Sequence, residues 1–115
     1  MDFPIEQVEE LKKHYKEIRQ VDEGGLTYFY IPTLVLPEGC EPRTVEALFC
    51  PMTRDGYPSR LFFSAIIKSP FPRNWNANGV RVFERQWYGF SYNYIKDMTL
   101  IQMMGAHIRG LKENR

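Results

Sequence analysis

Ile5, Val8, Leu11, Tyr15 and Ile18 recur at steps of three and four residues, the spacing that lines them along one face of an α-helix. Asp2 is placed to cap that helix, Pro4 suits its first turn, and Gly24-Gly25 end it. The opposite face holds Glu9, Glu10, Lys12, Lys13, Lys16 and Glu17. It reads either as a solvated face with helical ion pairs or as a docking face for a partner protein. After the glycines the period changes from helical to extended. Leu26–Ile31 is rich in β-formers, and Thr33–Leu36 follows it up to Pro37. The proline inside this stretch predicts an edge strand or a bulge. Pro37-Glu38-Gly39 is a turn, Val45–Cys50 the next strand, and Arg54-Asp55-Gly56-Tyr57-Pro58 a second turn. Leu61–Ile67 is apolar enough for a central strand.

Residues 68–79 break the pattern with two prolines, three asparagines and a glycine, and predict an irregular loop. Val80 and Val82 fit a short strand, followed by the aromatic stretch Trp87–Tyr94. The chain then ends in a helix capped by Asp97, with Leu100, Ile101, Met104, Ile108 and Leu111 on its inner side. An antiparallel meander is the economical topology. The expected fold class is α+β, a sheet flanked by an N-terminal and a C-terminal helix, as one domain over residues 1–115.

Length and charge narrow the functional classes. The chain has 115 residues, room for one core and too few for two. Lys plus Arg is 15 against Asp plus Glu at 14, far from the basic excess of a general nucleic-acid binder. No apolar run approaches the ~20 residues of a membrane span, and the N-terminus carries no signal-peptide pattern. No membrane partner is expected. Cys40 and Cys50 are the only cysteines and His14 and His107 the only histidines, too few for a disulfide scaffold or a four-ligand zinc site. No metal or cofactor is expected, and isolated thiols fit a reduced, cytoplasmic location. Cys50, inside an apolar run, reads as packing. Cys40, beside Gly39 in a turn, reads as more exposed, with no base adjoining it and with Glu38 and Glu41 raising its pKa.

Phe71-Pro72-Arg73-Asn74, and just after it Asn76-Ala77-Asn78-Gly79, resemble the start of the active-site loop and the following turn of the ubiquitin-conjugating enzyme (UBC) family. Trp87 resembles the family's downstream tryptophan, Gly56-Tyr57-Pro58 the Tyr-Pro before its central strand, and Leu36-Pro37-Glu38-Gly39 a turn of a divergent prokaryotic branch. The likeness spans residues 5 to 111 and implies a UBC-like fold. The departures carry the functional expectation. The family's catalytic cysteine belongs just after Asn78-Gly79, where this chain has Val80, Arg81 and Val82, and no cysteine follows Cys50. Thioester transfer needs a thiolate as nucleophile and leaving group.

The resemblance therefore implies a non-catalytic variant, a pseudoenzyme of a prokaryotic ubiquitin-like conjugation system that binds an activating enzyme or a ubiquitin-like protein. Asn74, Asn76, Asn78, Gly79, Val82 and Trp87 would form its vestigial active-site loop. Lys12, Lys16, Arg19, Tyr57 and Trp75 would bind the partner. Cys40, Cys50 and Ser91 remain as acyl carriers, with Lys68 and Lys96 as acyl targets, although no His or Asp lies near Ser91 in sequence to activate it. Asn74 stands where the family's Asn would help an oxyanion, or is a turn residue bonding its own backbone. His107 reads as a satisfied interface histidine and His14 as solvated.

A rival reading rests on Arg54, Arg60, Lys68, Arg73, Arg81 and Arg85, which outnumber Asp55 and Glu84 over residues 54–85. With Trp75 and Trp87, and with Tyr88, Phe90, Tyr92 and Tyr94 alternating, segment 54–94 could stack bases and hold the phosphates of a single-stranded nucleic acid. The same alternation could instead pack a core against the last helix. The first 23 residues hold seven acids and four bases, a dipolar layout that suits protein recognition equally.

Overall fold

The computed structural model describes residues 3–92 and 98–112. Its elements are α1 (Ile5–His14), β1 (Arg19–Glu23), β2 (Leu26–Val35), β3 (Thr44–Cys50), β4 (Arg60–Phe63), β5 (Ala77–Val82), β6 (Arg85–Gly89) and α2 (Leu100–Arg109). The strands form one antiparallel sheet in the order β1-β2-β3-β4-β6-β5. The fold is thus mixed helix and strand, a curled six-stranded sheet with two helices.

Several expectations change in detail. The first helix stops at His14, not at the glycines: Tyr15 is already extended, and Glu17 takes a left-handed φ of 60° that reverses the chain. Arg19–Glu23 then pairs with β2, and Gly24-Gly25, at φ 60° and 80°, turn that hairpin. Two consecutive positive φ values match the twist of flanking strands, which is why glycines serve there. Pro32 lies in a single long β2, where the register slips between Ile31 and Leu34. The bulge is real, but β2 is interior rather than an edge. Leu61–Ile67 stays extended in the sheet only to Phe63, and the expected loop over 68–79 gives up Ala77, Asn78 and Gly79 to β5.

The meander holds from β1 to β4. Residues 64–76 then cross past one strand position, so β6 lies beside β4 and β5 takes the outer edge. The strand that carries the fully buried Trp87 takes the interior place. The expected caps Asp2 and Asp97 lie outside the described residues, as do Tyr94 and Lys96. Thr99 caps α2 instead, in a reciprocal capping box with Gln102.

Both helices pack on the same face of the sheet rather than one on each side. Leu11 of α1 and Leu100, Met104 and Ala106 of α2 join Phe29, Ile31, Phe49, Phe63 and Phe90 in one core. Among the described residues the other face has no helix and buries itself by curling. Tyr28, Leu48, Phe62, Val82 and Trp87 make a second core there. The β5–β6 turn closes over it: the Phe83 ring meets Tyr28 edge-on at 5.5 Å, and its N–H donates to the Glu23 carboxylate at 3.2 Å. Arg85 and Tyr30 both bond Glu46 across the same concavity. Among the described residues no helix is long and apolar enough to cross a membrane.

Candidate functional site

A polar cluster forms where the ends of β4 and β6 meet two loops. Arg54 and Tyr57 exchange both backbone hydrogen bonds, at 2.9 and 3.0 Å, around Asp55-Gly56. Both turn residues have positive φ, the conformation an Asp-Gly pair favours. That tight turn swings Tyr57 over Arg60, whose guanidinium lies 4.6 Å from the Tyr57 ring and 5.2 Å from Phe62. Arg60 is 3% exposed. Burial pulls its pKa down, and Asp55, 3.4 Å away, pulls it back up. Gly89 makes room for it: a Cβ there would stand 3.1 Å from both the guanidinium and Phe62.

Arg60 donates to Asn76 Oδ1 at 2.8 Å, which orients the amide so that Nδ2 donates to the Tyr57 phenol at 3.1 Å. The phenol in turn lies 2.6 Å from Ser91 Oγ. The buried cation thus anchors a chain of donors that ends at a pair of hydroxyls on half-buried residues. Such an array can hydrogen-bond a partner's carbonyl or carboxylate. It is poorly suited to nucleophilic catalysis, since no imidazole or carboxylate bonds Ser91 in the described residues to take its proton. His107 sits deeper, with Nε2 3.0 Å from Ser59 Oγ. Burial lowers its pKa to about 3, and the Arg60 charge pushes the same way, so it is a neutral interior histidine.

The sequence-derived candidates divide into three groups. Tyr57, Asn76 and Ser91 come together in this cluster. Asn74 supports it through its backbone: its carbonyl accepts from the N–H groups of Ser91 at 2.7 Å and Asn76 at 2.9 Å, while its side chain faces solvent. Trp75 is half-buried, edge-on to Phe63 and Phe90. Asn78 and Gly79 lie in β5 at a register shift, with Gly79 at φ 78°. Val82 and Trp87 face the second core, and the Trp87 indole donates to the Val82 carbonyl at 3.0 Å.

Lys12, Lys16 and Arg19 form the second group, exposed in α1, after it and in β1, with no contact to the Tyr57 cluster among the described residues. The third group is the thiols. Cys40 is buried, contrary to its expected exposure, because the turn folds under the core. Burial raises its pKa and Arg43, three residues on, opposes the rise; the base absent next to it in sequence is supplied by the fold. Cys50 is buried in the second core with its pKa likewise raised by burial.

Aromatic alternation resolves toward packing over the described part of the run. Phe90 and Tyr92 belong to the helix-side core, Trp87 points to the opposite one, and Arg54, Arg60 and Arg85 are held in intramolecular ion pairs. Phe90 and Tyr92 thus share a face as alternation requires, but that face is buried under the helices rather than open. Arg60 is the residue that sequence reasoning missed as an organiser. Its one signal is a charged residue abutting the run Leu61-Phe62-Phe63, where a lone charge must find partners if buried. Among the described residues no group of three or more His, Cys, Asp or Glu could hold a metal ion. No family model, curated protein or solved structure matches the chain.

Proposed function

We propose that this chain is a non-catalytic or atypical UBC-like protein that serves a prokaryotic ubiquitin-like modification system in the cytoplasm by binding its activating enzyme or its ubiquitin-like protein. One observation carries the reading. Tyr57, Asn76 and Ser91 come from separate segments, two of them among the motifs that resemble the UBC family, and they converge on one surface array organised by Arg60. Both thiols meanwhile lie in the cores with raised pKa values. An assembled polar surface with no available thiolate suits recognition rather than acyl transfer.

The test incubates the protein with ATP and with an activating enzyme and a ubiquitin-like protein of a prokaryotic conjugation system. Non-covalent binding is expected, weakened about tenfold or more by Tyr57→Ala, since an interface anchor typically carries more than ~1 kcal/mol. A covalent adduct abolished by Cys40→Ala or Cys50→Ala would overturn the non-catalytic reading. An adduct lost only in Ser91→Ala would replace it with oxyester chemistry. Absence of binding to both proteins would reject the proposed partners.

A further inference from the structure

The outer side of β1 is an open sheet edge. No strand pairs with it among the described residues. The two-residue turn Gly24-Gly25 makes Glu23 and Leu26 a hydrogen-bonded pair, and the ladder then alternates along the hairpin. Val21/Tyr28 and Arg19/Tyr30 are therefore hydrogen-bonded pairs as well. The N–H and C=O groups of Gln20 and Asp22 point away from β2, toward solvent. Arg19, Gln20, Asp22 and Glu23 are all exposed, and Arg19 forms no ion pair among the described residues.

A short, charged edge normally discourages pairing. This one is self-complementary. In an antiparallel arrangement centred on Val21, Gln20 of one copy stands opposite Asp22 of the other, and each such pair can exchange both of its outward backbone hydrogen bonds. Val21 meets Val21. Arg19 falls opposite Glu23 in a non-hydrogen-bonded pair, where side chains approach most closely. A register one residue away would lose the outward bonds, and a parallel one would set Arg19 beside Arg19.

The surroundings fit the same arrangement. Gln20 shares a hollow on the helix side with Phe3, Ile5, Val8, Glu9 and Lys12. Asp22 of a second copy, opposite Gln20, would come to a hollow that holds both a lysine and a carboxylate, so the charge match of the pairing rests on Arg19 and Glu23. Ile5 is 68% exposed there, an apolar side chain that a neighbour would cover. On the other face the β5–β6 turn touches the edge strand at Glu23, whose carboxylate accepts from the Phe83 N–H and keeps lone pairs for an arginine standing opposite.

We propose that β1 is a homotypic interface through which two copies of this chain pair edge to edge, joining their sheets across a two-fold axis. The proposal does not depend on the function assigned above. Sedimentation equilibrium at loading concentrations from ~10 μM to ~1 mM covers the affinities of small, transient interfaces. Reversible dimerisation is expected for the unaltered protein. Arg19→Glu sets two carboxylates against each other at both ends of the paired strands and should leave a folded monomer. Glu23→Arg sets two guanidinium groups together in the same places and should do likewise, at the added cost of the bond from the Phe83 N–H. An equimolar mixture of the two variants should form a heterodimer, since each charge then meets its opposite. Gln20→Pro removes an outward N–H without breaking the β1–β2 ladder, and should also give a monomer. A monomer at every concentration, or a dimer that Arg19→Glu and Gln20→Pro both leave intact with far-UV spectra unchanged, would overturn the proposal.

Discussion

The Tyr57 phenol and the Ser91 hydroxyl lie 2.6 Å apart although 34 positions separate them in the chain. The pair exists because the Asp55-Gly56 turn delivers Tyr57 while the Asn74 carbonyl fixes the Ser91 backbone. Arg60 stabilises both from below through Asn76 and through its position against the Tyr57 ring. Ser91→Ala removes one bond between half-buried groups and should cost about 0.5–1.5 kcal/mol. Arg60→Ala removes a buried cation's bonds together with its packing, and should cost about 2–3 kcal/mol. Urea denaturation of the two variants checks the order, and equal losses would show that Arg60 does not organise the cluster.

His107 makes stability depend on acid pH. Its folded pKa, about 3, lies below the ordinary 6.5, so the unfolded chain binds the proton more readily. The contribution is fully present above pH 6.5, falls as the pH drops toward 3, and levels off below that. The slope for this one group approaches about 1.4 kcal/mol per pH unit inside that window. His107→Gln, which can still bond Ser59, should flatten the profile between about pH 6 and pH 4 when chemical denaturation is repeated at each pH. A variant profile parallel to the parent's would count against the assignment.

Cys40 and Cys50 should resist thiol reagents in the native state. Both are buried and both thiols are held above their ordinary pKa, so a disulfide-exchange reagent must wait for the fold to open. Labelling at about pH 8 should run about 100-fold or more slower than in denaturant. Fast labelling of Cys40 in the native protein would mean that its turn opens readily.

The β5–β6 turn carries backbone strain that one substitution can relieve. Phe83 and Glu84 both have positive φ, 51° and 61°, where Asn-Gly is the usual choice. Phe83 is held by Tyr28 and Glu23. Glu84 is exposed, with no side-chain bond in the described residues. Glu84→Gly should therefore stabilise the protein by about 0.5–1 kcal/mol, seen as a higher melting temperature. Phe83→Gly should destabilise it, because the ring contact outweighs the relief.

Local pattern and tertiary context divide the explanation of this fold. The strand Val45–Cys50, the bulge at Pro32, the Asp55-Gly56 turn and the last helix's inner face are legible because each depends on near neighbours in sequence. The same local logic makes the first helix too long: Tyr15 and Ile18 keep helical spacing, yet they reach the core from either side of the turn at Lys16-Glu17. Period alone cannot tell a helix face from a chain that arrives at the same core by another path. The partition of the aromatics also needs the sheet, since strand alternation says that two faces differ without saying that both are buried.

The order of residues was enough to establish the class of elements, that no cysteine follows Cys50, and the turn chemistry that makes Tyr57 available. Packing in three dimensions settled the rest: β6 displaces β5 from the interior, both helices share one face, and Arg60 gathers Asn76, Tyr57 and Ser91. The reason is physical. Turns and periodicity are set by bonds a few residues long, whereas a buried cation takes whichever partners the packed chain brings within hydrogen-bonding distance.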